Sequence, residues 1–296
     1  MNMRDKFYQV VNRILDKDKK TALILAGIGV AGFKESIDKY PDRVFNAGIL
    51  EQACVSVSAG LSIGGLTPIF HTIAPFLVER SYEQLKIDFG YQNISGNFIS
   101  NGASFDYSFF GATHQCPADI NVLKQIPNMQ IVVPGTANEF ETLFLSSYNN
   151  GSPTYYRLSR ESNSIENNVA FGKACIVKKG KLATIIAVGP MLERVLRVVG
   201  DIDATIIYYT TIEPFDKETL QTNCDSGKLL ICEPYYESGI LTDCLEALKH
   251  RKIAIDVFGY PRVFCTHYGY TVDNLKYWKR TDDDLRESIE LLLRSN

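Results

Sequence analysis

Long apolar runs, paired cysteines and a charge of one sign are all missing from this sequence, and each gap removes a class of function. No apolar stretch reaches the ~20 residues that span a bilayer, and the start Met1-Asn2-Met3-Arg4-Asp5-Lys6 has no apolar signal-peptide core. A cytoplasmic protein without membrane partners is expected. The formal net charge of -3 gives no general attraction to phosphate backbones, so no nucleic-acid partner is expected either. Seven cysteines (Cys54, Cys116, Cys175, Cys224, Cys232, Cys244, Cys265) form no C-x-x-C pair and lie in mostly apolar contexts. They read as buried free thiols, with no disulfide and no metal site in the chain.

What is present is an ordinary globular composition, 45% hydrophobic and 22% charged over 296 residues, long enough for about two domains. Short β-branched runs alternate with helical patterns, which predicts α/β layering. Strands are expected at 21–25, 98–100 and 130–133, and helices at 4–16, 52–62, 75–89 and 137–148. The polar stretch 161–168 has little to bury and reads as a linker. Fully apolar strand signals follow at 183–189, 204–209, 228–232 and 252–257. The fold class is therefore α/β, with two doubly wound, mostly parallel-sheet domains covering 1–165 and 166–296. Gly27-Ile28-Gly29-Val30-Ala31-Gly32 follows a predicted strand and is a near relative of a dinucleotide-binding loop, which keeps that reading open.

One carboxylate stands out. Glu51 sits in the apolar, small-residue stretch Phe45-Asn46-Ala47-Gly48-Ile49-Leu50-Glu51-Gln52, at the mouth of a predicted helix. On its own it reads as a first-turn glutamate favoured by the helix dipole. However, Asp42-Arg43-Val44-Phe45-Asn46-Ala47-Gly48-Ile49-Leu50-Glu51-Gln52 resembles the D-R-x-F-N-x-G-I-x-E-Q signature of the pyrimidine-binding domain of transketolases. Collinear matches follow in Gly65 to Ile69, in Thr72 to Phe76 with Arg80-Ser81-Tyr82-Glu83-Gln84, in Gly111-Ala112-Thr113-His114-Gln115, and in Ile126 to Met129 with Val133-Pro134. Thr211 to Glu218 is similar to a connection in the transketolase C-terminal domain.

The resemblance implies thiamine diphosphate as cofactor. Glu51 matches the residue whose carboxyl group bonds the pyrimidine N1′ and so makes the aminopyrimidine an internal base. Phe76 matches the aromatic that stacks on the pyrimidine, and Ile73, standing for an earlier family aromatic, is expected to cover the ring edge. His114 matches the imidazole that handles the donor oxygen and its protons, and His71 is a weaker candidate for the active-site funnel. Arg160 matches an arginine that grips a substrate anion. The chain departs from sugar-phosphate transketolases at Gly102 and Phe110, where they carry a histidine and an aspartate. With Phe105, Tyr107 and Phe109 beside them, the pocket wall is expected to be aromatic.

No Gly-Asp-Gly occurs, and Asp225-Ser226-Gly227 lacks the pattern of the magnesium site. The resemblance then implies that an N-terminal, diphosphate-binding partner subunit supplies most of the Mg2+ site. The expected assembly is an α2β2 heterotetramer in which this chain also self-associates. The activity implied is transfer of a two-carbon ketol or acyl unit to an aldehyde acceptor, with a modified or nucleotide-linked sugar among the fitting acceptors. Two other readings stay open. One is the β-subunit of a 2-oxoacid dehydrogenase or a deoxyxylulose-phosphate-synthase-like carboligase, and the other is a catalytically silent scaffold subunit.

Overall fold

A computed structural model describes residues 1–266 and 268–295. Its strands are β1 (Thr21–Leu25), β2 (Val44–Asn46), β3 (Thr67–Ile73), β4 (Gly96–Asn101), β5 (Gln130–Val132), β6 (Pro153–Leu158), β7 (Cys175–Lys178), β8 (Ala183–Val188), β9 (Ala204–Tyr209), β10 (Thr211–Glu213), β11 (Lys228–Tyr236) and β12 (Ala254–Tyr260). The first sheet runs β10-β5-β6-β4-β3-β1-β2 and is parallel except for β10. The second runs β12-β11-β8-β9-β7 and is parallel except for β7. Central strands such as β1, β8 and β9 are buried along their whole length, as parallel strands covered on both faces must be.

The halves are joined rather than strung together. β10 follows β9 in sequence, yet pairs with β5 of the first sheet. Both large apolar clusters contain residues of both sheets, for example Leu23 with Ile206 and Phe98 with Ile231. A fully buried Arg157 on β6 reinforces the join. Its Nε donates to Asp119 Oδ2 at 2.7 Å and its Nη2 to the Pro234 carbonyl at 3.1 Å, while the Tyr155 hydroxyl donates to the same Asp119 oxygen at 2.9 Å.

Three expectations change here. The helix expected at 75–89 is broken into Ala74–Val78, Tyr82–Gln84 and a π-helical Leu85–Tyr91. At the break the Ser81 hydroxyl donates to the Phe76 carbonyl at 3.0 Å, a local side-chain bond that competes with the helical ladder. Residues 161–168 carry no helix or strand, but they are pinned. Asn163 is buried, donates to the Gly189 carbonyl at 3.1 Å and accepts from the Glu193 amide at 3.1 Å. The glycines of 27–32 serve close packing: a Cβ on Gly29 would lie 2.9 Å from the His71 ring, and one on Gly32 would lie 2.6 Å from the Tyr8 ring. The loop leads into a 3-10 turn, Val30–Phe33, that separates it from a six-residue helix, Lys34–Lys39, so it does not open directly onto a helix N-terminus where a pyrophosphate could rest.

Candidate active site

Glu51 is the first residue of the helix Glu51–Ile63 and is 1% exposed. The loop that delivers it is held by Asn46, whose Oδ1 accepts from the amides of Gly27 at 2.9 Å and Gly48 at 3.2 Å. Gly48 has φ 80°, a left-handed conformation that glycine adopts without strain. Oε2 of Glu51 accepts from Arg80 Nη1 at 2.7 Å, whereas Oε1 is buried with no hydrogen-bond partner among the described residues. A buried, unpaired carboxylate oxygen is costly, so this atom points to a missing donor.

From Glu51 a row of side chains runs outward. The Arg80 guanidinium lies 4.1 Å over the centre of the Phe76 ring. Phe76 meets His114 edge to face at 5.3 Å, and His114 lies 5.0 Å from Phe110. Phe110, 56% exposed, packs on Phe109 at 4.3 Å and reaches Tyr107 at 6.2 Å. His114 ends a 3-10 turn, Ala112–His114, with Nδ1 2.9 Å from the Thr113 hydroxyl. Ile73, the half-buried last residue of β3, immediately precedes the helix that carries Phe76. Four sequence candidates, Glu51, Phe76, His114 and Phe110, thus share one continuous site, and Arg80 joins them.

Arg160 lies to the side, in a cleft of about 330 Å³ lined by Asn2, Arg4, Asn101, Tyr107 and Ser159. Its backbone amide donates to Asp106 Oδ2 at 2.9 Å. Burial pushes the Asp106 carboxyl up to about 7. Two arginines facing one cleft suit an anion, and Tyr107 forms the wall between this cleft and Phe110. A larger cleft of about 830 Å³, lined by Glu79, Lys124, Tyr236 and Arg262 among others, includes none of the row from Glu51 to Phe110.

His71 does not belong to the site. Side chains alternate along β3, so Phe70 and His71 join opposite layers. His71 is fully buried, its ring is 4.6 Å from that of Phe7, and its Nδ1 is 2.9 Å from the Ile99 carbonyl. Burial pushes its pKa down to about 4. Phe105 is likewise not in the wall. It is buried against Trp278 at 4.5 Å and Tyr260 at 4.8 Å.

Sequence reasoning assigned no role to Arg80 or Arg4. Arg80 lay inside a quoted motif, and that was the available signal. Arg4 offered none.

The residues fit the pyrimidine half of thiamine diphosphate: an orphaned buried carboxylate oxygen, a partly buried aromatic joined to it through Arg80, and the exposed apolar Ile49 and Leu50 next to Glu51 in sequence. For the other half, no group of three or more His, Cys, Asp or Glu among the described residues is placed to hold a metal. Nor is any helix among them long and apolar enough to cross a membrane.

Comparison with known proteins agrees with this geometry. The family model "Transketolase, pyrimidine binding domain" matches residues 1–164, and "Transketolase, C-terminal domain" matches residues 172–276. An uncharacterized 33.6 kDa protein of the fasciation locus of Rhodococcoides fascians is 36% identical over 262 residues, covering 86% of this chain and 84% of that protein. The 1-deoxy-D-xylulose-5-phosphate synthase of Clostridium acetobutylicum is 33% identical over 267 residues, covering 85% of this chain. Only 43% of that synthase is covered, so the chain spans less than half of its length. A solved structure described as a split gene transketolase, inactive beta4 tetramer, superposes with a TM-score of 0.86 at 24% identity, covering 99% of this chain and 98% of the other. The transketolase of Campylobacter jejuni superposes with a TM-score of 0.81 at 18% identity, covering 98% of this chain and 46% of its own.

Proposed function

Because the chain belongs to the transketolase family, we propose that it is the pyrimidine-binding subunit of a split, thiamine-diphosphate-dependent transferase. In this reading residues 1–165 form the pyrimidine-binding domain and 166–296 the C-terminal domain, and the enzyme works in the cytoplasm. When bound, thiamine diphosphate supplies a carbon nucleophile that attacks a carbonyl donor. Glu51 offers Oε1 to the pyrimidine N1′ in a dry setting where that hydrogen bond is strong. Phe76 and Ile73 set the ring plane. His114, partly open to solvent between Phe76 and Phe110, gives and takes the proton on the substrate oxygen. Arg4 and Arg160 hold an anionic group of the substrate, while Phe110 turns an apolar face to the carbon skeleton.

The observation that carries this reading is the buried, unpartnered Oε1 of Glu51 in line with Phe76 and His114. The diphosphate and Mg2+ are assigned to a separate N-terminal subunit in an α2β2 assembly. This assignment is supported by the end-to-end likeness to the fold of a split gene transketolase chain. The reaction is transfer of a two-carbon unit to an aldehyde acceptor. The 33% identity to a deoxyxylulose phosphate synthase favours pyruvate as the second donor to test. Titration calorimetry with thiamine diphosphate and Mg2+ examines the two-chain scheme: heat of binding is expected only once the partner is present. Tight binding by this chain alone would contradict it.

A further inference from the structure

Arg80 makes two contacts with one planar cation. Its Nη1 donates to Glu51 Oε2 at 2.7 Å, and its guanidinium carbon sits over Phe76, 4.1 Å from the ring centre. A bond to the Glu51 carboxylate and the face of Phe76 are also what the reading above assigns to the aminopyrimidine, which would use the free Oε1 where Arg80 uses Oε2, so the two compete for the Phe76 face. Both groups are flat; the guanidinium presents N–H donors at its edge, and the aminopyrimidine presents one to a carboxylate when N1′ is protonated.

The surroundings allow Arg80 to leave. It stands in the turn between the helices Ala74–Val78 and Tyr82–Gln84, and its side chain is 38% exposed while that of Glu51 is 1% exposed. No other ion pair of Arg80 or Glu51 occurs among the described residues. The pair is therefore a buried anion neutralised from outside by a cation on a long, flexible stem.

We propose that Arg80 is a gatekeeping, positioning residue that shares its seat with the cofactor's aminopyrimidine. Seated, it neutralises Glu51 and covers Phe76. Swung out, it frees the Phe76 face for the pyrimidine, whose own bond goes to the unpaired Oε1 of Glu51. This inference rests on the thiamine reading. Its cost is fixed by population: a seat open about one tenth of the time weakens apparent affinity about tenfold.

The test is an affinity measurement with two variants, made on the complex with the diphosphate-binding partner and using thiamine diphosphate itself as probe. Arg80→Met is expected to bind it about tenfold more tightly, and Arg80→Lys, charged but not planar, to fall between. In the chain alone, Arg80→Met is expected to lower the melting temperature by exposing the unpaired Glu51 charge, and adding Glu51→Gln to recover most of that loss. Unchanged or weaker binding by Arg80→Met, with Glu51→Gln still impaired in C2 proton exchange, would overturn the Arg80 proposal while leaving the cofactor reading intact. Absence of binding by the wild-type complex would overturn both.

Discussion

The ring of Tyr107 occupies the space that a side chain at Gly102 would need: a Cβ there would lie 2.3 Å from the ring, and Gly102 itself has φ 82°. The glycine is thus required by its aromatic neighbour rather than being a simple deletion of a polar reader. Gly102→Ala is expected to cost about 1–3 kcal/mol through backbone strain and overpacking. Urea unfolding checks this, and a wild-type midpoint would mean that Tyr107 moves aside freely.

Substrate choice follows from Phe110. An exposed aromatic offers no hydrogen bond to a donor hydroxyl, and an unpaired polar group in a closed site costs about 1–3 kcal/mol. Ordinary ketose phosphates should be poor donors, and Phe110→Asp should improve them. Steady-state kinetics in the reconstituted complex decides: efficient turnover of xylulose 5-phosphate by the wild type would remove this argument.

Much of the site could be read from the chain because its members lie in short motifs whose internal spacing survives folding. Glu51, Phe76, His114 and Phe110 are of this kind. Arg80 could not be paired in advance, since its direction depends on the break after Val78, set by a Ser81 hydroxyl bond with no strong sequence signature. Arg4 enters its cleft only through the docking of the helix Met3–Lys17. The errors have equally local causes. His71 is one residue from the other face of β3, and in a strand one residue reverses everything. Phe105 is drawn inward by Tyr260 and Trp278, about 155 or more positions away in sequence, a contact that no periodicity announces. The alternating α/β pattern itself was clear, whereas β10 crossing to the first sheet was not.

His71 also predicts a pH effect. Burial holds its folded pKa near 4, below the ordinary value of about 6.5, so between these values the unfolded chain binds more protons. Stability therefore rises with pH across that window and levels off above it. Chemical denaturation of wild type and His71→Leu from about pH 4 to 7 checks this. The variant should lose less stability on acidification, and parallel curves would assign the acid sensitivity elsewhere.

Arg157 and Asp119 predict a large stability effect. Arg157→Met leaves the buried Asp119 carboxylate with only the Tyr155 hydroxyl and the Ile120 amide, and no cation, and should cost about 3–5 kcal/mol, much of it regained when Asp119 is also made apolar. A double-mutant cycle by urea unfolding measures it. Additive losses would mean the two side chains are not coupled.

Cofactor activation by Glu51 is tested most directly by one measurement, exchange of the cofactor's C2 proton in the complex carrying Glu51→Gln. The substitution keeps the shape of the side chain and removes its charge, so thiamine diphosphate should still bind. Exchange should slow by orders of magnitude, each ~1.4 kcal/mol of lost stabilisation being about tenfold in rate. Exchange at the wild-type rate would reduce Glu51 to the first-turn residue of its helix and contradict the claim that this chain activates the cofactor.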